Sequence, residues 1–73
     1  MNHNRDIGIS DGMLRKNIYP GLRVRIVLKA DQRSGRLTEG VVRDILTNAE
    51  YHSRGIKVRL TDGKIGRVQQ IID

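Results

Sequence analysis

An all-β fold is what these 73 residues predict: a small, strongly bent, SH3-like antiparallel barrel of four to five strands behind a flexible N-terminal tail. Three observations carry that expectation. Two stretches, Leu22-Arg23-Val24-Arg25-Ile26-Val27-Leu28 and Ile56-Lys57-Val58-Arg59-Leu60, alternate apolar and basic residues with the period of a half-buried strand. Asp62-Gly63 stands between β-rich runs, a strong short-range hairpin signal. Finally, Gly40-Val41-Val42-Arg43-Asp44-Ile45 and Gly66-Arg67-Val68-Gln69-Gln70-Ile71 share the form Gly-x-Val-x-x-Ile, each after an alternating strand and a glycine-containing turn. The chain thus reads as two hairpins of related design. Each has one apolar face and is marginal alone, so the two must close on each other. A single open sheet is the alternative, but no other segment would cover its apolar face.

Taken in order, residues 1–12 are polar, with Ile7 and Ile9 as their only aliphatics, and read as a mobile tail. Ser10 is placed to cap a short helical turn over Asp11 to Lys16, which Pro20 would end; Met13 and Leu14 would then cover one open end of the sheet. The division expected is a tail over residues 1–15 and a barrel domain over 16–73. Tyr19-Pro20-Gly21 is a turn signal immediately before the first strand. In that strand Leu22, Val24, Ile26 and Leu28 share one face, and Arg23 and Arg25 share the other. A polar loop from Lys29 to Arg36 follows, with a tight turn at Ser34-Gly35. Its ordering could come from Asp31 pairing with Arg33 or Arg36.

The second strand, from about Leu37 to Leu46, breaks its alternation: Gly40 and Val42 share a face, then Ile45 comes three positions later. A bulge or sharp bend near Arg43-Asp44 is the physical reading. A second polar loop, Thr47 to Arg54, leads into the final hairpin. There the parity decides the turn. A two-residue loop would put Val68 opposite the core face, whereas a three-residue loop, Thr61-Asp62-Gly63, pairs Leu60 with Lys64, Val58 with Gly66 and Ile56 with Val68. The odd loop is preferred, with Gly63 at positive φ. Residues 69–72 fit either a last half-strand or a single helical turn. The expected core is Leu22, Val24, Ile26, Leu28, Val42, Ile45, Ile56, Val58, Leu60, Val68 and Ile71, with Leu37 at its margin.

Composition narrows the function classes. There is no cysteine, hence no disulfide framework and no thiolate metal site. No apolar run approaches the roughly 20 residues that span a bilayer, and the first residues lack the apolar centre of a signal peptide, so a cytoplasmic location is expected. Net charge is +6, and ten of the fourteen basic residues are Arg, whose planar fork suits phosphate and carboxylate. Such a balance points to nucleic acid as partner.

At this point the residues resemble a known family. The run from Gly21 through Arg23-Val24-Arg25-Ile26 and Ser34-Gly35-Arg36-Leu37-Thr38-Glu39-Gly40 to Asn48, followed by Gly55 to Val68, is similar to the YwbE-like family of small bacterial proteins. The similarity covers roughly residues 16–71. It implies a compact cytosolic bacterial protein and brings no set of functional residues with it. A looser likeness, to the KOW and Tudor-type barrels of ribosomal and transcription proteins, is one of fold, and fold does not settle function.

The strongest functional constellation is a basic surface. Arg23, Arg25, Lys57, Arg59 and Arg67 all fall on the outer parity of their strands, with Ile65 among them, and Arg33, Arg36 and Arg54 lie in loops. If strands one, three and four are neighbours, these eight form one cationic patch able to contact several phosphates of RNA or a ribonucleoprotein. The plainer reading is that strand exteriors need polar residues and that Arg guards edges against aggregation. Tyr19 and Tyr51 are the only aromatic residues, so stacking platforms for single strands are scarce, although Tyr51-His52 beside Arg54 has the means to stack one base. That shortage favours structured RNA recognised by backbone and shape. The loop Asp31 to Arg36 is the best candidate for a specific contact. An adaptor gripping an acidic protein partner is the alternative. Enzymatic chemistry, a cofactor, a metal site and a small-molecule substrate are not expected. His3 and His52 lack ligand spacing, Ser34 and Ser53 lack an evident base, and a barrel this small has little room for a deep pocket.

Overall fold

The computed structural model describes residues 10–72, so the expectation for residues 1–9 lies outside the described part. Four strands, β1 (Arg23–Leu28), β2 (Thr38–Ile45), β3 (Lys57–Leu60) and β4 (Ile65–Ile71), are joined in sequence order and close with β4 against β1. Every neighbouring pair is antiparallel. The two hairpins β1–β2 and β3–β4 therefore shut face to face, and their inner faces become one core.

That core is Ile18, Leu22, Val24, Ile26, Val42, Ile56, Val58, Leu60 and Val68, with Leu28, Ile45 and Ile71 packed against it. The alternating strands supply it as their patterns require: Val24 and Ile26 point inward from β1 while Arg23 and Arg25 stay exposed. Two expectations need correction. Leu37 is an exposed residue, 40% accessible, because it precedes β2 in the loop and no strand crosses it. Ile18, outside every alternating run, is buried by the segment that leads into β1.

The last hairpin takes the odd loop. Val58 pairs with Gly66 and Arg59 with Ile65. The Leu60 N–H donates to the Lys64 carbonyl (2.8 Å), the Gly63 N–H donates to the Leu60 carbonyl (2.9 Å), and Gly63 sits at φ +93°. The Val68 N–H donates to the Ile56 carbonyl at 2.9 Å, which extends the ladder to the third expected pair.

The repeated motif is a bulged strand. Between β2 and β3 the register jumps from Val42 to Asp44, leaving Arg43 as the extra residue. Between β4 and β1 it jumps from Val68 to Gln70, leaving Gln69 as the extra residue. Arg43 and Gln69 occupy the same place in Gly-x-Val-x-x-Ile. An inserted residue turns a spacing of three into two inward-facing positions, so Val42 and Ile45, like Val68 and Ile71, both reach the core. Residues 69–71 accordingly continue β4 as a strand.

The single helical turn expected after Ser10 is replaced by two 3-10 turns, Asp11–Met13 and Arg15–Asn17. They are separated by Leu14, which is extended and bridges to Tyr51. Residues 10–15, grouped with the tail on their sequence, are held on the barrel by backbone bonds: Ile56 N–H to the Gly12 carbonyl (2.9 Å), His52 N–H to Met13 (3.0 Å) and Arg15 N–H to Glu50 (2.9 Å). No helix among the described residues is long and apolar enough to cross a membrane.

Candidate nucleic-acid interface

The outer parity of β1, β3 and β4 places the basic residues as the strands dictate, but closure sorts them into groups of different chemistry. Lys57 on β3 is the direct partner of Arg67 on β4, and Arg67 is in turn the partner of Val27 on β1. Of this row, the half-buried Val27 and Arg67 line two adjoining surface hollows of about 330 and 410 Å3, which also share Gln32, while Lys57 lines the second alone. The first also takes Arg54 and Gln69 from the β3–β4 side and Gly35 and Leu37 from the β1–β2 loop. The second takes Lys29, Lys57 and Ile65.

Two side chains in the first hollow are fixed from behind. Arg67 Nη1 donates to the Gly55 carbonyl at 3.1 Å, and Gln69 Nε2 donates to the Arg54 carbonyl at 2.9 Å. The guanidinium is thereby held with donors to spare, and the Gln69 carboxamide keeps its oxygen as an acceptor. Lys29, Arg54, Lys57 and Arg67 have no ion-pair partner among the described residues.

The remaining outer-face arginines are compensated. Arg23 and Arg25 both reach Glu39, at 3.9 and 3.4 Å, and Arg25 Nη1 also donates to Gln70 Oε1 at 2.9 Å. Arg59 meets Asp44 at 3.1 Å, where Arg43 approaches the same carboxylate at 3.7 Å. Six of the eight cations therefore divide into an uncompensated group around Val27 (Arg54, Lys57 and Arg67) and compensated groups beside β2 (Arg23, Arg25 and Arg59), while Arg33 and Arg36 stand apart on the β1–β2 loop. The single patch that parity suggested needs this correction, because parity fixes the face of a side chain but not its acidic neighbours.

Arg33 and Arg36 are exposed on the β1–β2 loop. Its turn is ordered by the Asp31 main chain. The Asp31 carbonyl accepts from the Gly35 N–H (2.8 Å) and from Ser34 Oγ (3.2 Å), and Ser34 Oγ accepts from the Arg36 N–H (3.2 Å). The Asp31 carboxylate makes no ion pair among the described residues, so the expected pairing with Arg33 or Arg36 is not the ordering device. Tyr51 lies elsewhere, lining a separate hollow with Leu14, Arg15 and Lys16.

Sequence reasoning passed over Lys29, Val27 and Gln69 as site residues and reached Gln32 only as part of the loop Asp31 to Arg36. Val27 had a visible signal, an apolar residue on the parity that holds Arg23 and Arg25. Gln69 had one in the shared motif, at the position that bulges in β2. Lys29 had none, since only the path of the loop brings it to the β4 face.

A family model described as "Uncharacterized conserved protein (DUF2196)" matches residues 11–71. A curated relative, "Uncharacterized protein YwbE" of Bacillus subtilis (strain 168), is 60% identical over 62 residues, covering 85% of this chain and 95% of the relative. No solved structure matches the chain.

Proposed function

This chain belongs to the YwbE-like family of uncharacterized conserved proteins (DUF2196), and we propose that it acts as a small cytoplasmic RNA-binding module. It grips the backbone of structured RNA, free or within a ribonucleoprotein, through the cations around Val27. The observation that carries this reading is the uncompensated group Arg54, Lys57 and Arg67, with Lys29 beside it, on a barrel where the strand arginines Arg23, Arg25 and Arg59 are matched to Glu39 and Asp44. A surface serving solubility alone gains nothing by gathering cations while the acids sit elsewhere. A surface that meets phosphates does gain, since each contact releases condensed counterions. The shortage of aromatic residues fits recognition by backbone and shape over base stacking.

A fluorescence titration of a labelled RNA hairpin tests it. If three phosphates are contacted, affinity should fall roughly 40-fold between about 50 and about 200 mM salt, taking the slope known for duplex DNA. Absence of binding at the lower salt overturns the proposal. The same cations would hold an acidic protein, and partners that survive nuclease in a pull-down would favour that alternative.

A further inference from the structure

The first hollow has features that phosphate binding does not require. Beside Arg54 and Arg67 it carries two apolar side chains, Val27 and Leu37, and two carboxamides, Gln32 and Gln69. A surface for backbone phosphates alone calls for cations and water. An apolar floor with hydrogen-bonding groups on its wall calls for a flat, partly apolar ligand with a polar edge. At about 330 Å3 the space lies at the lower end of small-ligand sites, which run from about 300 to 1,000 Å3.

We propose that this hollow receives one unpaired nucleotide of the bound RNA. Its base lies against Val27 and Leu37, its edge meets the Gln32 carboxamide and the free oxygen of Gln69, and its flanking phosphate sits at Arg54 and Arg67. Charge complementarity selects the occupant: four apolar or amide groups alone would suit many ligands, but two cations without an acid at their side select one that carries phosphate. The geometry is prepared in advance. Gln69 is held by the Arg54 carbonyl and Arg67 by the Gly55 carbonyl, so neither must be ordered when the nucleotide arrives. The bulge places Gln69 here, because the residue inserted after Val68 is the one whose amide turns to the Arg54 main chain. In duplex RNA the base edges are largely engaged, and unpaired bases are the ones a protein can take in.

This inference rests on the proposed RNA binding, and its test separates the two. Three loop-free, two-strand RNA duplexes of equal stem length are titrated with the full chain at low salt: a perfect stem, the stem with one bulged nucleotide, and the stem with an abasic bulge. One apolar contact and one amide hydrogen bond are together worth about tenfold, so the base-bearing bulge should bind about tenfold tighter than either control. Leu37→Ser, at an exposed position outside the strands, should bring the three affinities within about threefold of one another. Equal affinity for base-bearing and abasic bulges, with the stem still bound, overturns the nucleotide subsite and leaves the RNA-binding reading intact. Loss of all binding at low salt overturns both.

Discussion

Lys57 and Arg67 stand directly opposite each other on β3 and β4, and neither has an acidic partner among the described residues. Like charges in opposed positions destabilise a sheet. The same barrel avoids that arrangement elsewhere, setting Arg25 opposite Glu39 and Arg59 opposite Asp44. The Lys57–Arg67 pair is thus a place where the outer surface departs from what folding favours; both residues line the second hollow, and Arg67 lines the first as well.

Replacing Lys57 by Glu converts the repulsive pair into an attractive one. The gain of about 0.5–1 kcal/mol should raise Tm by roughly 2–8 °C in a domain this small. Affinity for an RNA hairpin should fall at the same time. Melting curves and titrations of one preparation read both, and opposite signs are the expected result. A lower Tm together with lower affinity would mean that Lys57 is structural.

Glycine in the repeated motif serves close approach of strands. A methyl group on Gly66 would collide with the Val27 carbonyl and lie 2.9 Å from Ile26 Cδ1; one on Gly40 would meet the Leu60 side chain at 2.5 Å. Main chain in a closed barrel cannot yield, whereas the end of a leucine can. Gly66→Ala should therefore cost about 3 kcal/mol and Gly40→Ala about 1–2 kcal/mol. Gly63→Ala meets open space and should cost about 1 kcal/mol for its positive φ alone. Urea titrations of the three variants give the order, and equal costs at Gly66 and Gly63 would refute the packing argument.

The fold was legible where a local rule had a unique solution. Parity at Thr61-Asp62-Gly63 allowed one register that kept Val58 and Val68 together, and the three-residue step from Val42 to Ile45 allowed a bulge. Ile18 was missed because a core residue in an irregular segment leaves no periodic mark. For the site, parity identified Lys57 and Arg67 as outward-facing. It could not reveal that Glu39 and Asp44 would cancel Arg23, Arg25 and Arg59, since those contacts are made across strands between residues 14 to 16 positions apart in the chain.

The turn that closes the β3–β4 hairpin carries an acid-sensitive contact. The Lys64 N–H donates to Asp62 Oδ1 at 3.1 Å and Lys64 Nζ to Oδ2 at 2.9 Å, and these bonds hold the Asp62 carboxyl below its ordinary value. A carboxyl depressed in the folded state stabilises above its unfolded pKa, and that contribution is lost as pH falls through the folded one. Asp62→Asn should therefore melt below the parent at neutral pH, with the two curves converging below about pH 4. A gap that persists unchanged in acid would rule out the carboxylate as its source.

Charge variants decide whether the uncompensated group, and not net charge, sets RNA affinity. Arg54→Ala and Arg25→Ala each remove one positive charge, but Arg25 is already engaged by Glu39 and Gln70, whereas Arg54 has no ion-pair partner among the described residues. If phosphates are met at the hollows, Arg54→Ala should weaken hairpin binding and lower the salt slope by about one, and Arg25→Ala should do neither to a comparable degree. Glu39→Gln supplies the converse, since it adds the same net charge that Arg54→Ala removes while freeing Arg23 and Arg25 beside β2. Binding governed by net charge alone would rise with Glu39→Gln by as much as it falls with Arg54→Ala, and would fall equally for both arginine variants. Binding at the hollows would leave Glu39→Gln and Arg25→Ala close to the parent, because the cations they alter stand outside the row of Lys57, Arg67 and Val27.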